Sequence, residues 1–340
     1  MKNPTLAYLT ISCTTLGCLL SAPRGLAQTG PTGLRGIGAR GSAPRPLSQE
    51  DDAPAASSKY MFTVFDSPDT FYTDGFGINS GAASSNMEIV GGIGNIASPA
   101  GFTGGFLMLY ARTTGVATET FEGVNFPGAT QQLAIGVNDS GEIVGQYADS
   151  SGVKHGYLLS GGTFTTIDVP FPGAIGTDAE GIANAGAIVG YWLDATTSHG
   201  FLLSGGTYTS FDYPGAVFTI ADAINNRGEI TGFYADTSGV YHGFMLSGGT
   251  YTSIDAPGAA ATEAYGVNDN GDIVGIYCST AKCADRFETF EGYVLSGGSF
   301  TTITIPGAAA SGPSGINNEG VIAGVYYVTG GHHGFLATPK

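Results

Sequence analysis

Gly136-Val-Asn-Asp-Ser-Gly-Glu-Ile-Val-Gly-Gln-Tyr147 is followed by His155-Gly-Tyr-Leu-Leu-Ser160, Gly161-Gly162, Thr163-Phe-Thr-Thr-Ile-Asp168 and Pro172-Gly-Ala174. This stretch decides how the rest of the chain is read, because the same order of segments recurs. The leading element returns at Gly77, Gly136, Gly181, Ala223, Gly266 and Gly315, at intervals of 59, 45, 42, 43 and 49 residues. Pro-Gly-Ala closes the unit at 127–129, 172–174, 214–216, 257–259 and 306–308. Self-similarity at a period near 43 residues marks a repeat architecture. Each unit holds four short β segments, and its Asn-x-x-Gly and Gly-Gly steps are hairpin turns with glycine at the left-handed position. No segment has helical periodicity, which excludes helical solenoids.

The β segments alternate poorly between apolar and polar residues, so both of their faces are apolar. That suits a blade packed between two neighbouring blades, and four strands in 40–45 residues is a propeller blade's length. The last unit stops after His333-Gly-Phe-Leu-Ala337, its third segment. A matching fourth segment, Met61-Phe-Thr-Val-Phe-Asp66, stands at the other end of the repeat region. The expected fold is therefore all-β: a six-bladed β-propeller of four-stranded blades, closed by an N-terminal strand that completes the last blade. Such closure removes open sheet edges.

Composition agrees. The chain has 56 glycines, only 12 Lys plus Arg, and a net charge of −16. Residues 60–340 carry 25 of the 28 acids but only six bases, Arg112, Lys154, Arg227, Lys282, Arg286 and Lys340. A surface of this sign repels phosphate backbones, so nucleic acid is not an expected partner. A carbohydrate, a cation or a protein ligand suits it better.

The N-terminus reads as a signal peptide over 1–27: Lys2, an apolar run from Leu6 to Leu20, then Gly25-Leu26-Ala27 before Gln28. The run is too short for a permanent span, so no membrane span is expected after its removal. Residues 28–58, rich in Gly, Pro, Ala, Ser and Arg, read as a disordered linker, and 59–340 as the propeller. In an oxidising compartment Cys278 and Cys283 would form a disulfide, because a structural zinc needs more ligands than one pair supplies.

The repeat resembles the HAF-type probable extracellular repeat, whose core is Gly-x-Asn-x-x-Gly-x-Val-Val-Gly and whose tripeptide is His-Ala-Phe. Here the tripeptide is His155-Gly-Tyr, His199-Gly-Phe, His242-Gly-Phe and His333-Gly-Phe, with Gly in place of Ala. The similarity covers roughly 60–340. It implies a bacterial exported protein, secreted, periplasmic or at the cell surface, and it brings no catalytic residues.

All five histidines (His155, His199, His242, His332 and His333) sit at the entry to the third strand. Third strands stand ~10 Å outside the innermost ones, too far for histidines of different blades to share a zinc with bonds near 2 Å. They are expected to make a repeated structural hydrogen bond. Asp66, Asp168, Asp212 and Asp255 are expected to tie strand ends to backbone amides. The glycines inside strands two and three, such as Gly145 and Gly156, are expected to lie under aromatic rings. Asn268-Asp-Asn-Gly-Asp272 lacks the spacing of a calcium loop and reads as a hairpin turn.

Function is sought where the repeat varies. One position before the leading Gly (or Ala223) stand Phe76, Ile135, Glu180, Asp222, Tyr265 and Ser314. Three before it stand Asp74, Leu133, Asp178, Ile220, Glu263 and Gly312. Residues two apart share a strand face, so both sets are expected to line the central channel. One wall would carry Asp178, Glu180, Asp222, Glu263 and Tyr265. The opposite wall would be largely apolar, with Asp74 beside it. The candidate binding set is thus Asp74, Asp178, Glu180, Asp222, Glu263 and Tyr265. No cofactor is required, although such carboxylates could hold a divalent cation such as calcium. No nucleophile elbow or nucleotide fingerprint is present. The expected role is a non-enzymatic binding or surface-interaction module. The competing reading is a carbohydrate-active hydrolase or lyase working through paired channel carboxylates.

Overall fold

The computed structural model describes residues 59–67, 72–80, 86–94, 102–111, 120–278, 290–329 and 331–340. The expected signal peptide, the linker over 28–58 and Cys283 lie outside the described residues. Twenty-four strands run through the described residues, and among these residues no helix is long and apolar enough to cross a membrane.

In chain order the first group is β1 (Tyr60–Phe65), β2 (Tyr72–Ile78), β3 (Asn86–Gly94), β4 (Phe102–Ala111) and β5 (Thr120–Val124). Then come β6 (Gln131–Val137), β7 (Ile143–Ala148), β8 (Lys154–Ser160) and β9 (Thr163–Ile167). The next repeat gives β10 (Gly176–Ile182), β11 (Ile188–Leu193), β12 (Ser198–Ser204) and β13 (Thr207–Phe211). It is followed by β14 (Phe218–Ile224), β15 (Ile230–Ala235), β16 (Tyr241–Ser247) and β17 (Thr250–Ile254). The last strands are β18 (Ala261–Val267), β19 (Ile273–Cys278), β20 (Glu291–Ser296) and β21 (Ser299–Ile303), then β22 (Ala310–Ile316), β23 (Ile322–Val328) and β24 (Gly331–Pro339).

Four sheets hold four antiparallel strands each, in sequence order: β6–β9, β10–β13, β14–β17 and β18–β21. The fifth has eight strands, β22-β23-β24-β2-β3-β4-β5, with β1 paired on β24. β1 and β24 match antiparallel from Tyr60↔Pro339 to Phe65↔Gly334. A single parallel pair, Tyr72↔His332, connects β24 to β2. The sheets stand side by side about an axis in a β-propeller arrangement, with the first strand of each repeat innermost.

Turn chemistry sets these hairpins. Ser160 pairs with Thr163, leaving Gly161 (φ 56°) and Gly162 (φ 78°) as a two-residue loop. Positive φ at both central residues is what a twisted hairpin turn demands and what glycine supplies without cost. At the other hairpin, Asn138 Oδ1 accepts the N–H groups of Ser140 and Glu142, and Gly141 N–H returns to Asn138 O. Asn268 does the same for Asn270 and Asp272, so the Asn268–Asp272 segment is a turn.

These turns join into a ring around the axis. Ser80 N–H donates to Asp139 Oδ1 (2.9 Å), Asp139 N–H to Asn184 Oδ1 (2.9 Å) and Asn184 N–H to Asn226 Oδ1 (2.8 Å). Asn226 N–H donates to Asp269 Oδ1 (2.8 Å), Asp269 N–H to Asn318 Oδ1 (2.8 Å) and Asn318 N–H to Ser80 Oγ (3.2 Å). The circle closes on its first member. It satisfies at each inner turn an amide that would otherwise need water.

The hydrophobic core lies between the sheets. Val144, Ile167, Ala179, Ile188, Trp192 and Phe201 form one such layer between β6–β9 and β10–β13. Phe201, Phe244 and Tyr293 occupy equivalent places and are fully buried. Each such ring stabilises the fold by about 1.5–3 kcal/mol.

Not every interior glycine is covered by an aromatic ring. A Cβ on Gly145 would meet the Leu133 carbonyl first and the Tyr157 ring second. Gly156 faces Ala179 of the next sheet, not an aromatic. Close backbone approach is the commoner reason for these glycines. The aromatic expectation holds at positions such as Gly200 under Phe211.

Candidate functional site

The innermost strands do not alternate regularly. In each, the register slips at one residue: between Gly75 and Gly77, Ala134 and Gly136, Ala179 and Gly181, Ala221 and Ala223, Ala264 and Gly266, Pro313 and Gly315. The extra residue of each bulge is Phe76, Ile135, Glu180, Asp222, Tyr265 or Ser314. A bulged residue is left out of the ladder and re-aimed. Here all six line one central cavity of about 90 Å³.

The second set is placed differently. Asp74, Asp178 and Glu263 are not among the residues lining that cavity. The alternation expected to carry them there is broken by the bulge. Asp178 is completely buried opposite Tyr191, and Lys154 Nζ of the preceding sheet stands 3.6 Å from its Oδ2. Asp74, also completely buried, meets His332 Nδ1, whose ring is stacked between Tyr72 and Tyr327. Glu263 accepts a 2.6 Å hydrogen bond from the Tyr265 hydroxyl. The residue just before the tripeptide histidine therefore supplies the partner: Lys154 before His155, and His332 before His333. The sequence carried a signal for this, since that position varies in step with the residue three before the leading glycine.

The cavity is one-sided. Glu180 is 2 % exposed and Asp222 7 %. Both Glu180 oxygens and Asp222 Oδ2 have no hydrogen-bond partner among the described residues. Burial pushes the Glu180 carboxyl well above its ordinary range, and neighbouring Asp178 adds to this while Lys154 opposes it. Burial also raises Asp222 well above its range, helped by Glu180 and Glu263. Loss of solvent pushes Glu263 up to about 7, against the pull of the Tyr265 hydrogen bond. Asp178 and Asp74 are raised by burial as well, despite Lys154 and His332. Across the cavity, Phe76, Phe102, Leu133 and Ile135 form an apolar cluster.

Towards the ring of turns the cavity is bordered by six aliphatic residues, Ile78, Val137, Ile182, Ile224, Val267 and Ile316, each of which also packs in a hydrophobic core cluster. They also line the mouth beyond, a space of about 80 Å³ edged by the turn residues from Asn79 and Ser80 round to Asn317 and Asn318. Inner strands pack backbone against backbone there: a Cβ on Gly136 would lie 2.7 Å from Glu180 O, and one on Gly315 2.5 Å from Phe76 O. That packing keeps the channel narrow. Among the described residues no group of three or more His, Cys, Asp or Glu side chains is placed to hold a metal ion.

The histidines lie at the opposite end of the sheets, and their structural hydrogen bond has an unexpected partner. His155 Nδ1 meets Asp168 (2.8 Å), His199 meets Asp212 (3.0 Å), His242 meets Asp255 (2.6 Å) and His333 meets Asp66 (2.7 Å). These aspartates thus bind imidazole rings, whereas backbone amides were expected. The amide that follows each Asp is instead capped by a threonine of the next inner strand. Val169 N–H donates to Thr177, Tyr213 N–H to Thr219, Ala256 N–H to Thr262 and Ser67 N–H to Thr73. Each ring also packs on an aromatic side chain: Tyr147, Trp192, Tyr234 or Tyr326.

No known family profile and no curated protein matches the chain. Among solved structures it is similar to putative TolB from Agrobacterium tumefaciens, at 12% identity, over 78% of this chain and 90% of that one (TM-score 0.50). It is likewise similar to a triple arginine-to-alanine mutant of AofleA from Arthrobotrys oligospora, at 11% identity over 84% and 90% of the two chains (TM-score 0.50). A lectin from Aleuria aurantia in complex with α-methyl-L-fucoside aligns at 11% identity over 80% and 96% (TM-score 0.47). At such identities the likeness concerns the fold, and the fold is a β-propeller.

Proposed function

We propose that this chain is an exported, non-enzymatic binding module built on six blades, which engages its ligand at the central channel. Six blades follow if the eight-stranded sheet is two blades, β2–β5 and β22–β24 with β1, touching through one bridge. The six-membered ring of inner turns supports that count. Export, to the cell surface, the periplasm or the medium, rests on the N-terminal segment and on the resemblance to HAF-type repeats.

One observation carries the binding reading. Glu180 and Asp222, whose enclosed carboxylate oxygens have no hydrogen-bond partner among the described residues, line a central cavity at a position where the repeat varies. Burying an unpaired charge is costly, and a fold maintained only for stability would replace it. A hydrolase or lyase acting on a sugar fits less well, because the cavity of about 90 Å³ is far below the ~300–1,000 Å³ of small-molecule sites.

The test is a thermal-shift screen of the purified protein against polysaccharides, salts, amines and basic peptides, repeated with Glu180→Gln. A ligand that raises the melting temperature of the parent and not of the variant supports the channel. Stabilisation that is equal in both moves binding to the blade loops. Turnover of any polysaccharide would overturn the non-enzymatic reading.

A further inference from the structure

The unpartnered oxygens of the chamber number three: Glu180 Oε1, Glu180 Oε2 and Asp222 Oδ2. All belong to side chains more than nine-tenths buried, and both residues line the cavity. A primary ammonium presents three N–H donors and no acceptor. A calcium ion asks for six to eight oxygens, which two carboxylates cannot give. The approach to the chamber from the turn ring is the aliphatic collar of Ile78, Val137, Ile182, Ile224, Val267 and Ile316, each 7–8% exposed. An apolar lining offers a hydrated metal ion no ligand, whereas a methylene chain can lie against it. On the far wall Phe76 and Ile135 offer more apolar surface, and Tyr265 completes the lining.

We propose that the central chamber binds a linear primary alkylammonium, with its ammonium between Glu180 and Asp222 and its methylene stem in the aliphatic collar. The stem can belong to a free amine or to a lysine side chain of a partner, because both present the same head and chain. This deepens the binding-module reading and rests on it. Burial favours the neutral form of both carboxyls and a bound cation favours the charged form, so affinity should rise with pH and binding should release protons. The groups facing the two carboxylates are Asp178 on the same strand as Glu180, Lys154 on β8, and Glu263 with Tyr265 on β18. Of these only Lys154 is cationic.

The experiment titrates the full-length protein with n-butylammonium chloride at pH 8, against KCl and tetramethylammonium chloride at equal ionic strength. The expected result is a rise in melting temperature of roughly 5 °C at a hundredfold excess over Kd. The controls should shift it far less, because potassium has no N–H and tetramethylammonium has neither N–H groups nor a slim stem. Calorimetry in buffers of different ionisation enthalpy should show proton release by the parent, which needs no variant to fold. Glu180→Gln with Asp222→Asn should remain folded by circular dichroism and lose the response. A short lysine peptide and its acetyl-lysine counterpart separate the two sources: a response to the former alone points to a protein partner. Equal shifts with KCl, or retention of the butylammonium shift in the double variant, would overturn the proposal. So would no shift at all. In each case a hit in the wider ligand screen would leave the binding-module reading standing.

Discussion

At the entry to the third strands, polar groups answer one another: each tripeptide histidine meets an aspartate, and each following amide meets a threonine. In the central chamber, by contrast, Glu180 and Asp222 face each other's fields with Phe76 and Ile135 opposite. The first region repeats from sheet to sheet, whereas the second differs at every sheet. Repetition with mutual satisfaction is what structural maintenance produces. Variation with unsatisfied, buried carboxyls costs stability, and the natural return on that cost is a ligand.

Lys154 offers the hardest blow to this contrast, since it is the basic neighbour of the acid cluster. Lys154→Met leaves Asp178 buried without its cation; because Lys154 is partly exposed and 3.6 Å away, the cost should be up to about 3 kcal/mol, the low end for a buried pair. Urea denaturation at pH 8 should show that loss, with a smaller one as the pH is lowered, because burial raises the Asp178 carboxyl and favours its neutral form. Asp178→Asn in the same chain should recover most of it. An effect below ~1 kcal/mol would mean that the cluster is solvated and that the contrast fails.

The acid cluster also fixes a pH dependence of unusual sign. Glu263 sits at about 7 when folded and near 4.5 otherwise. Between those values the folded state holds more protons, so stability is greatest below about pH 4.5 and falls as pH rises to 7. The shift corresponds to at most about 3 kcal/mol. Melting temperature measured from pH 5 to 8 should therefore decline, and Glu263→Gln should flatten the decline. His333, raised by Asp66, acts in the same direction: its contribution is complete below 6.5 and is lost above that. On the acid side Asp194, held down at about 2 by Thr196 and its neighbours, loses its contribution as pH falls from 3.8 towards 2. The optimum should thus lie on the acid side of neutrality. A flat profile would show that the Glu263 carboxyl is not enclosed.

The smallest effect is expected where polar groups are satisfied but exposed. His242→Ala or Asp255→Ala should each cost about 1 kcal/mol or less, and the double variant little more than either alone, as befits a partly exposed pair. Equivalent changes at His155 and His199 should cost the same within error. A much larger loss at one of the three would show that the repeat has given that histidine a further task.

Much of the architecture was legible because it is written locally. Gly161-Gly162 can only turn, Asn138 with Gly141 builds its own hairpin, and the match of Met61–Asp66 to a missing fourth strand anticipates the pairing of β1 with β24. Glu180, Asp222 and Tyr265 were found by comparing repeats and reading where they differ. Asp74, Asp178 and Glu263 were set on the channel wall by strict two-residue alternation, and the bulge at the residue before Gly181 or Gly266 breaks that rule. The partners of Asp66, Asp168, Asp212 and Asp255 were missed because the pairing with a histidine joins residues on neighbouring strands whose side-chain directions depend on twist and packing.

The sequence by itself determined the strands, their turns and the repeat, since these follow from backbone preferences over a few residues. It also determined the excess of acid. Tertiary structure alone decided which acids meet a cation and which are left facing the chamber. That choice rests on the bulge in each inner strand and on the close packing of inner backbones around the axis. No residue carries that information separately, because it arises only when the sheets are brought together.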